Sequence, residues 1–266
     1  MAMDPDRCRM YVANTAESSV AVFNVCTSQQ IKSISLGGGQ SPKGIAVLTT
    51  TNTIYVAQAA SHSVAVIDGD ALAVVRTIDV GQVPEQVAAN PHTNKVYVTN
   101  RGYSPENTGS VTVIDATTYS AKTIDLSYTA AKPAPGPYGV AVNPVTNRVY
   151  VASTSGKLVI IDGDSDEVID VISPAIPTGL DGVAVNPASN NVFISSGTAN
   201  KVFVYDADLG RWTYTLTVGT GLFRGIAVNP LTYHVLVSNT GDDTVSVIRD
   251  FGQYQPFKIW IPIIRK

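Results

Sequence analysis

Charge is scarce in this sequence. Only 15% of its 266 residues are Asp, Glu, Lys or Arg, and they leave a formal net charge of −3. Holding nucleic acid or an anionic lipid surface calls for clustered Lys and Arg, so nucleic acid is not an expected partner. No apolar run reaches the roughly eighteen residues of a spanning helix, so no membrane span is expected. The opening stretch, Met1 to Asp6, is polar and lacks the apolar segment of a signal peptide. It fits equally the start of a mature chain whose signal has been removed.

Cysteine is nearly absent as well. Cys8 and Cys26 are too few for a disulfide framework. They fall on or beside the first two expected strands, where a hairpin turning near Ala16 sets them nearly opposite each other. Two readings stay open, a single disulfide and a pair of buried free thiols, the second being the plainer.

Apolar and turn-forming residues, by contrast, are plentiful. With 44% hydrophobic residues the chain can bury a full core, and one all-β domain over residues 1–266 is expected. The organising stretch is Lys43-Gly44-Ile45-Ala46-Val47. Its copies are Glu85-Gln86-Val87-Ala88-Ala89, Tyr138-Gly139-Val140-Ala141-Val142, Asp181-Gly182-Val183-Ala184-Val185 and Arg224-Gly225-Ile226-Ala227-Val228. The second position recurs at steps of 42, 53, 43 and 43 residues, a period that belongs to propellers and other arrays.

Each repeat carries four β beats separated by turn residues, as in Gly44 to Leu48, Thr53 to Ala57, Ser63 to Asp68 and Val74 to Val80. No helix is expected. A four-stranded unit with two apolar faces cannot stand alone, and stacking such units around an axis buries both faces. The expected fold is therefore an all-β, six-bladed β-propeller of four-stranded antiparallel blades. The first strand of each unit lines the axis, where crowding explains its Gly and Ala. Blade one has beats two to four (Met10 to Asn14, Val20 to Phe23, Ile31 to Leu36) and is expected to lack its innermost strand, because Met1 to Asp6 reads as too polar to supply it. Phe257 to Pro262 is assigned to the outer edge of blade six, where its Trp and Pro are tolerated.

Tyr97-Val98-Thr99-Asn100, with Gly139-Val140-Ala141-Val142-Asn143-Pro144 and Ser110-Val111-Thr112-Val113-Ile114-Asp115, resembles the YVTN family of β-propeller repeats over nearly the whole chain. The resemblance implies a scaffold class found in secreted or surface-layer proteins, in lactonase-like proteins and in cofactor-bearing enzyme domains. Function is not carried by fold alone. The chain departs from the cofactor-bearing relatives in having no cysteine-histidine haem attachment pattern, so covalent haem is not expected.

The residue before each repeated glycine, or before Gln86, is the one that never repeats: Lys43, Glu85, Tyr138, Asp181 and Arg224. If the first strand starts at the top face, these residues line the channel mouth, with Asn14, Gln58, Asn100, Ser153, Ser196 and Asn239 around them. Glu85, Asp181 and Tyr138 are the candidate catalytic residues, the two carboxylates acting as general acid and base. Candidate ligand contacts are Lys43, Arg224, Asn100, Asn239, Tyr103, His62 and Phe223. The bland alternative is a solvated mouth in which Lys43, Glu85, Asp181 and Arg224 merely pair.

Two insertions, Arg101 to Gly109 and Ser127 to Pro137, account for the 53-residue step and belong to the same face. Glu85 and Asp181 with Asn100 or Asn239 form an oxygen set of the kind Ca²⁺ takes, similar in residue type to six-bladed calcium lactonases, but the local sequences differ and no metal or other cofactor is expected. Asp162-Gly163-Asp164-Ser165-Asp166-Glu167 has the alternating acids of a calcium loop yet occupies an ordinary turn position. His92 and His234 fall away from the top face, and His62 alone, with no placed nucleophile, does not specify acyl transfer.

The reading that results is a monomeric recognition module that binds a protein, glycan or small molecule at its top face. A lyase, isomerase or lactonase-type hydrolase is the alternative. A secreted, periplasmic or cell-surface location is expected, with a cytoplasmic one left open.

Overall fold

The structure is a computed structural model that describes residues 1–103, 109–126, 135–175, 179–221 and 225–250, together with the backbone of 258–260. Among the described residues there are twenty-four strands and no helix. Six four-stranded sheets, each in sequence order, form the blades of a β-propeller, and neighbouring strands such as β1 and β2, β2 and β3, and β3 and β4 pair antiparallel.

Blade one is β1 (Ala2–Asp4), β2 (Arg9–Asn14), β3 (Ser19–Asn24) and β4 (Gln29–Ser35). Blade two is β5 (Pro42–Leu48), β6 (Thr53–Gln58), β7 (Ser63–Asp68) and β8 (Ala73–Asp79). Blade three follows with β9 (Pro84–Asn90), β10 (Lys95–Asn100), β11 (Ser110–Asp115) and β12 (Ala121–Asp125). Blade four has β13 (Pro137–Asn143), β14 (Arg148–Ser153), β15 (Lys157–Asp162) and β16 (Glu167–Ile172). Blade five has β17 (Val183–Asn186), β18 (Asn191–Ser196), β19 (Lys201–Asp206) and β20 (Arg211–Thr217). Blade six ends the series with β21 (Ile226–Asn229), β22 (His234–Asn239), β23 (Thr244–Arg249) and β24 (Lys258–Trp260). The chain divides into two compact units, Met1–Pro137 and Tyr138–Lys266.

Two expectations are corrected. Blade one does not lack its innermost strand: β1 pairs with β2, Ala2 opposite Tyr11, Met3 opposite Met10 and Asp4 opposite Arg9. Strand pairing uses backbone groups, so a polar segment qualifies if its inward side chains are small or satisfied. Ala2 packs on the core between blades one and two, and the buried Asp4 carboxylate accepts from the Arg7 guanidinium at 3.0 Å. The thiol reading also fails. Cys8 and Cys26 are joined in a disulfide with their Cα atoms 5.6 Å apart, and Cys26 is exposed. The assignment of the last strand to the outside of blade six holds for Lys258–Trp260.

In blades two to five, strands two and three read as near-continuous apolar runs because both of their faces are covered. In blade two β6 and β7 are buried almost throughout, whereas the edge strand β8 buries only Ile78. The third residue of strand two is Tyr11, Tyr55, Tyr97, Tyr150 or Phe193 in blades one to five, each at most 1% exposed. Burial of this kind contributes about 1.5–3 kcal/mol per large side chain. It also pushes the Tyr150 hydroxyl up to about 12, which suits a core residue and not a proton carrier.

The crowding inferred for the first strand is real. A Cβ on Gly44 would stand 2.5 Å from Gln86 Cα, on the innermost strand of the next blade, and one on Gly139 would strike the Asp181 carbonyl oxygen. Outer strands carry a different device. β4, β8, β16 and β20 each hold a β-bulge against strand three, and β12 does not. Bulged edges resist pairing with another chain.

Candidate functional site

The top end of a blade is where strand one begins and strand two finishes; the bottom end is where strand one turns into strand two.

In the first unit, β5 and β9 deliver Lys43 and Glu85 to neighbouring positions at the top of blades two and three. Lys43 Nζ lies 3.5 Å from Glu85 Oε2. Glu85 is 2% exposed and the Lys43 side chain 33%, so the carboxylate is the desolvated partner. At that distance the contact is an ion pair and not a directed hydrogen bond, and Glu85 Oε2 has no hydrogen-bond partner among the described residues. A buried carboxylate oxygen with unused accepting capacity is expensive, which makes it the most informative atom at this end of the blades.

The loop just before Glu85 also organises a second pair. The Val83 N–H donates to His62 Nδ1 at 3.2 Å, and Tyr103 Oη meets His62 Nε2 at 3.2 Å with the rings edge to face, 5.8 Å between centroids. An Nδ1 that accepts carries no proton. The neutral ring therefore holds its proton on Nε2 and donates it to Tyr103 Oη, leaving the phenol hydrogen free for an outside acceptor. Tyr103 is 50% exposed.

Asn100 and Asn239 are held alike in blades three and six. Asn100 Nδ2 donates to Ser110 Oγ at 3.1 Å and Thr112 Oγ1 at 2.9 Å; Asn239 Nδ2 donates to Thr244 Oγ1 and Ser246 Oγ, both at 2.9 Å. Both side chains are buried, and each keeps an Oδ1 without a hydrogen-bond partner among the described residues. Their amide groups tie strand two to strand three, a role that repeats and so serves the scaffold.

In the second unit, Asp181 Oδ2 accepts the Gly197 N–H at 2.8 Å, and its backbone carbonyl accepts the Gly139 N–H at 3.0 Å. Tyr138 is buried, at 5% exposure. Arg224 and Phe223, with residues 104–108 and 127–134 of the two insertions, lie outside the described residues. Lys43, Glu85, His62 and Tyr103 are therefore brought to the top of one pair of blades, while Tyr138 and Asp181 belong to the other unit.

One clasp escaped sequence reasoning. At the top of blade six Thr220 donates its N–H and its hydroxyl to Asp242, whose carboxyl is held below the usual value by these bonds, the hydroxyl first. No motif distinguishes this pair from any other Thr and Asp in loops.

The acidic stretch Asp162 to Glu167 is a turn. Asp162 Oδ1 accepts the N–H groups of Asp164 and Ser165, its Oδ2 bonds Arg148, and Asp164 Oδ1 accepts from Asn147 Nδ2. A Cβ on Gly163 would collide with the Asn147 side chain, so the glycine answers packing.

These features define the class of protein: an all-β propeller with a polar, partly unsatisfied top end on blades two and three. No protein-family model and no curated protein matches this chain. Among solved structures it is similar to hydrazine synthase of Kuenenia stuttgartiensis, with a TM-score of 0.80, 19% identity, and coverage of 95% of this chain and 83% of that one. The likeness is one of fold. The YVTN repeat resemblance rests on the motifs themselves.

Proposed function

We propose that this propeller is a recognition module whose ligand seats on the top ends of blades two and three, against Lys43, Glu85, His62 and Tyr103. The observation that carries the reading is Glu85 Oε2, buried and without a hydrogen bond among the described residues, beside a Lys43 ammonium that still reaches solvent. A hydroxyl or carboxylate acceptor on the ligand would take the Lys43 and Tyr103 hydrogens, and a hydroxyl or ammonium donor on the same ligand would reach the buried carboxylate by displacing the Lys43 ammonium from it. Small polyols, sugars and amino acids carry both groups, and so do protein and glycan surfaces.

The likeness to hydrazine synthase supports the fold of this module and brings no hydrazine chemistry with it. The acid-base alternative uses Glu85 and Asp181 with Tyr138. Binding is preferred because Asp181 Oδ2 already accepts an N–H and Tyr138 is buried. A secreted, periplasmic or surface location is supported by the Cys8–Cys26 disulfide, which persists in oxidising compartments.

The test is a thermal-shift screen of the purified chain against monosaccharides, polyols and free amino acids, followed by calorimetry on the hits. Binding is expected to fall at least about tenfold in Glu85→Gln and in Tyr103→Phe, the loss of one charged or one neutral hydrogen bond. Hits whose affinity is unchanged in both variants would remove the proposal.

A further inference from the structure

The bottom ends of the six blades share one backbone joint. The backbone carbonyl of the residue just before strand two accepts an N–H from the turn after strand three: Cys8 from Val25, Asn52 from Gly69, Asn94 from Ala116, Asn147 from Gly163, Asn190 from Ala207 and Tyr233 from Asp250, at 2.7–3.2 Å. In blades one, four and five this joint sets the accepting residue's side chain beside that of the residue following the donor, whereas in blade two neither polar atom of the Asn52 side chain has a hydrogen-bond partner among the described residues. In blades four and five the two side chains form a hydrogen bond, Asn147 Nδ2 to Asp164 Oδ1 at 2.8 Å and Asn190 Nδ2 to Asp208 Oδ1 at 2.7 Å. In blade one the same two positions are Cys8 and Cys26, and the link is covalent. Cys8, Asn147 and Asn190 even share the left-handed backbone, with φ of 51°, 50° and 53°. The disulfide therefore stands where blades four and five use an amide and a carboxylate.

The exchange matters because blade one has the weakest innermost strand of its unit. β1 has three residues, against seven in β5 and β9. Only three residues separate Asp4 from Cys8, and the turn between them is closed by the Cys8 N–H donating to the Pro5 carbonyl at 3.2 Å. What holds Cys8 in place also holds the end of β1.

We propose that Cys8–Cys26 is a redox latch on blade one, opened by a dithiol or glutathione-class reductant. Cys26 is exposed and Cys8 half-buried, so a reductant thiolate can attack Cys26 Sγ. The S–S bond breaks and a mixed disulfide forms with the reductant. A second thiolate then resolves it, so that the reductant leaves as a disulfide and two electrons and two protons remain on Cys8 and Cys26. Two thiols are poor hydrogen-bonding partners and cannot reproduce the Asn–Asp link of blades four and five. Blade one is then held at this joint by its backbone bond alone, and β1 releases from β2, leaving an unpaired strand edge.

The test is hydrogen exchange of the full chain, read by mass spectrometry with and without dithiothreitol, complete reduction being confirmed by a gain of about two mass units from the two added hydrogens. Amides in residues 1–14 should exchange at least about tenfold faster after reduction, with blade-four peptides unchanged, because opening of this kind is local. The double variant Cys8→Asn/Cys26→Asp should hold β1 in both conditions, as the pair does in blades four and five. Exchange in residues 1–14 that stays within about twofold on full reduction overturns the latch. So does equal loosening of blade four, which would make the bond a staple of the whole chain, and so does a Cys8→Asn/Cys26→Asp variant that opens as readily as Cys8→Ser/Cys26→Ser.

Discussion

At the bottom ends of the blades, one turn after another is closed by the same chemistry. Asn24, Asp68, Asp115, Asp162 and Asp206 each turn an Oδ1 onto the N–H groups two and three residues ahead. At the top ends Lys43, His62, Glu85 and Tyr103 occur once each, and Glu85 keeps a buried oxygen without a hydrogen bond among the described residues. Repetition is the mark of scaffold, even where a repeated amide keeps a spare oxygen as Asn100 and Asn239 do; a singular charged group that folding leaves unsatisfied marks a place selected for something else. The contrast locates the proposed site without reference to any relative.

The comparison breaks if the bottom end proves dispensable. The largest effect is expected from Asp250→Ala. Its buried carboxylate accepts from Asn186 Nδ2 at 2.7 Å, Asn191 Nδ2 at 3.0 Å and the Ser189 hydroxyl, binding the bottoms of blades five and six. Removal strands three donors and should cost about 3 kcal/mol in urea unfolding; a loss below about 1 kcal/mol would show that the brace is ornamental. Gly44→Ala comes next, at about 2 kcal/mol by the same measurement, because its Cβ would meet backbone and no flexible side chain could yield.

The top end is sharpened by an asymmetry. Lys43→Met leaves the Glu85 charge buried without its cation and should cost about 2 kcal/mol, whereas Glu85→Gln removes that charge and should cost less than about 1 kcal/mol while weakening ligand binding at least about tenfold. Equal costs for the two variants would contradict a desolvated carboxylate.

The smallest effect concerns pH. The carboxyls of Asp68, Asp115 and Asp162 lie below the ordinary value of 3.8, first because backbone N–H groups bond the ionised form. A depressed folded value means that their contribution is present above pH 3.8 and is lost as pH falls through the folded values below it. The urea midpoint should therefore drop more steeply below pH 4 in the wild type than in Asp68→Asn/Asp115→Asn/Asp162→Asn. Asparagine keeps the cap, as Asn24 does in blade one, without titrating. Identical pH profiles would assign the acid loss to other carboxyls.

Much of this was legible in the residues. Five copies of a small-residue strand, each followed by β-branched and aromatic runs, define blades because apolar alternation and turn chemistry are local properties. The acidic turn at Asp162 to Glu167 was readable for the same reason: its counterpart Asp68-Gly69-Asp70 holds the same place in another repeat. β1 was not legible, since its pairing rests on backbone groups and one small inward side chain at Ala2. The Cys8–Cys26 bond was left open because sequence places two cysteines near one another without deciding whether the turns bring their sulfurs into line.

Period, blade number, turn chemistry and the identity of the singular residues thus followed from local patterns that each repeat restates. The meeting of Lys43 with Glu85, two residues at one repeat position, was among the expected alternatives. Two things depended on the folded chain, the completion of blade one and the disulfide that stands where blades four and five have an Asn–Asp pair. Each joins groups that no shared local pattern connects, and only the approach of one strand or turn to another determines whether such groups meet.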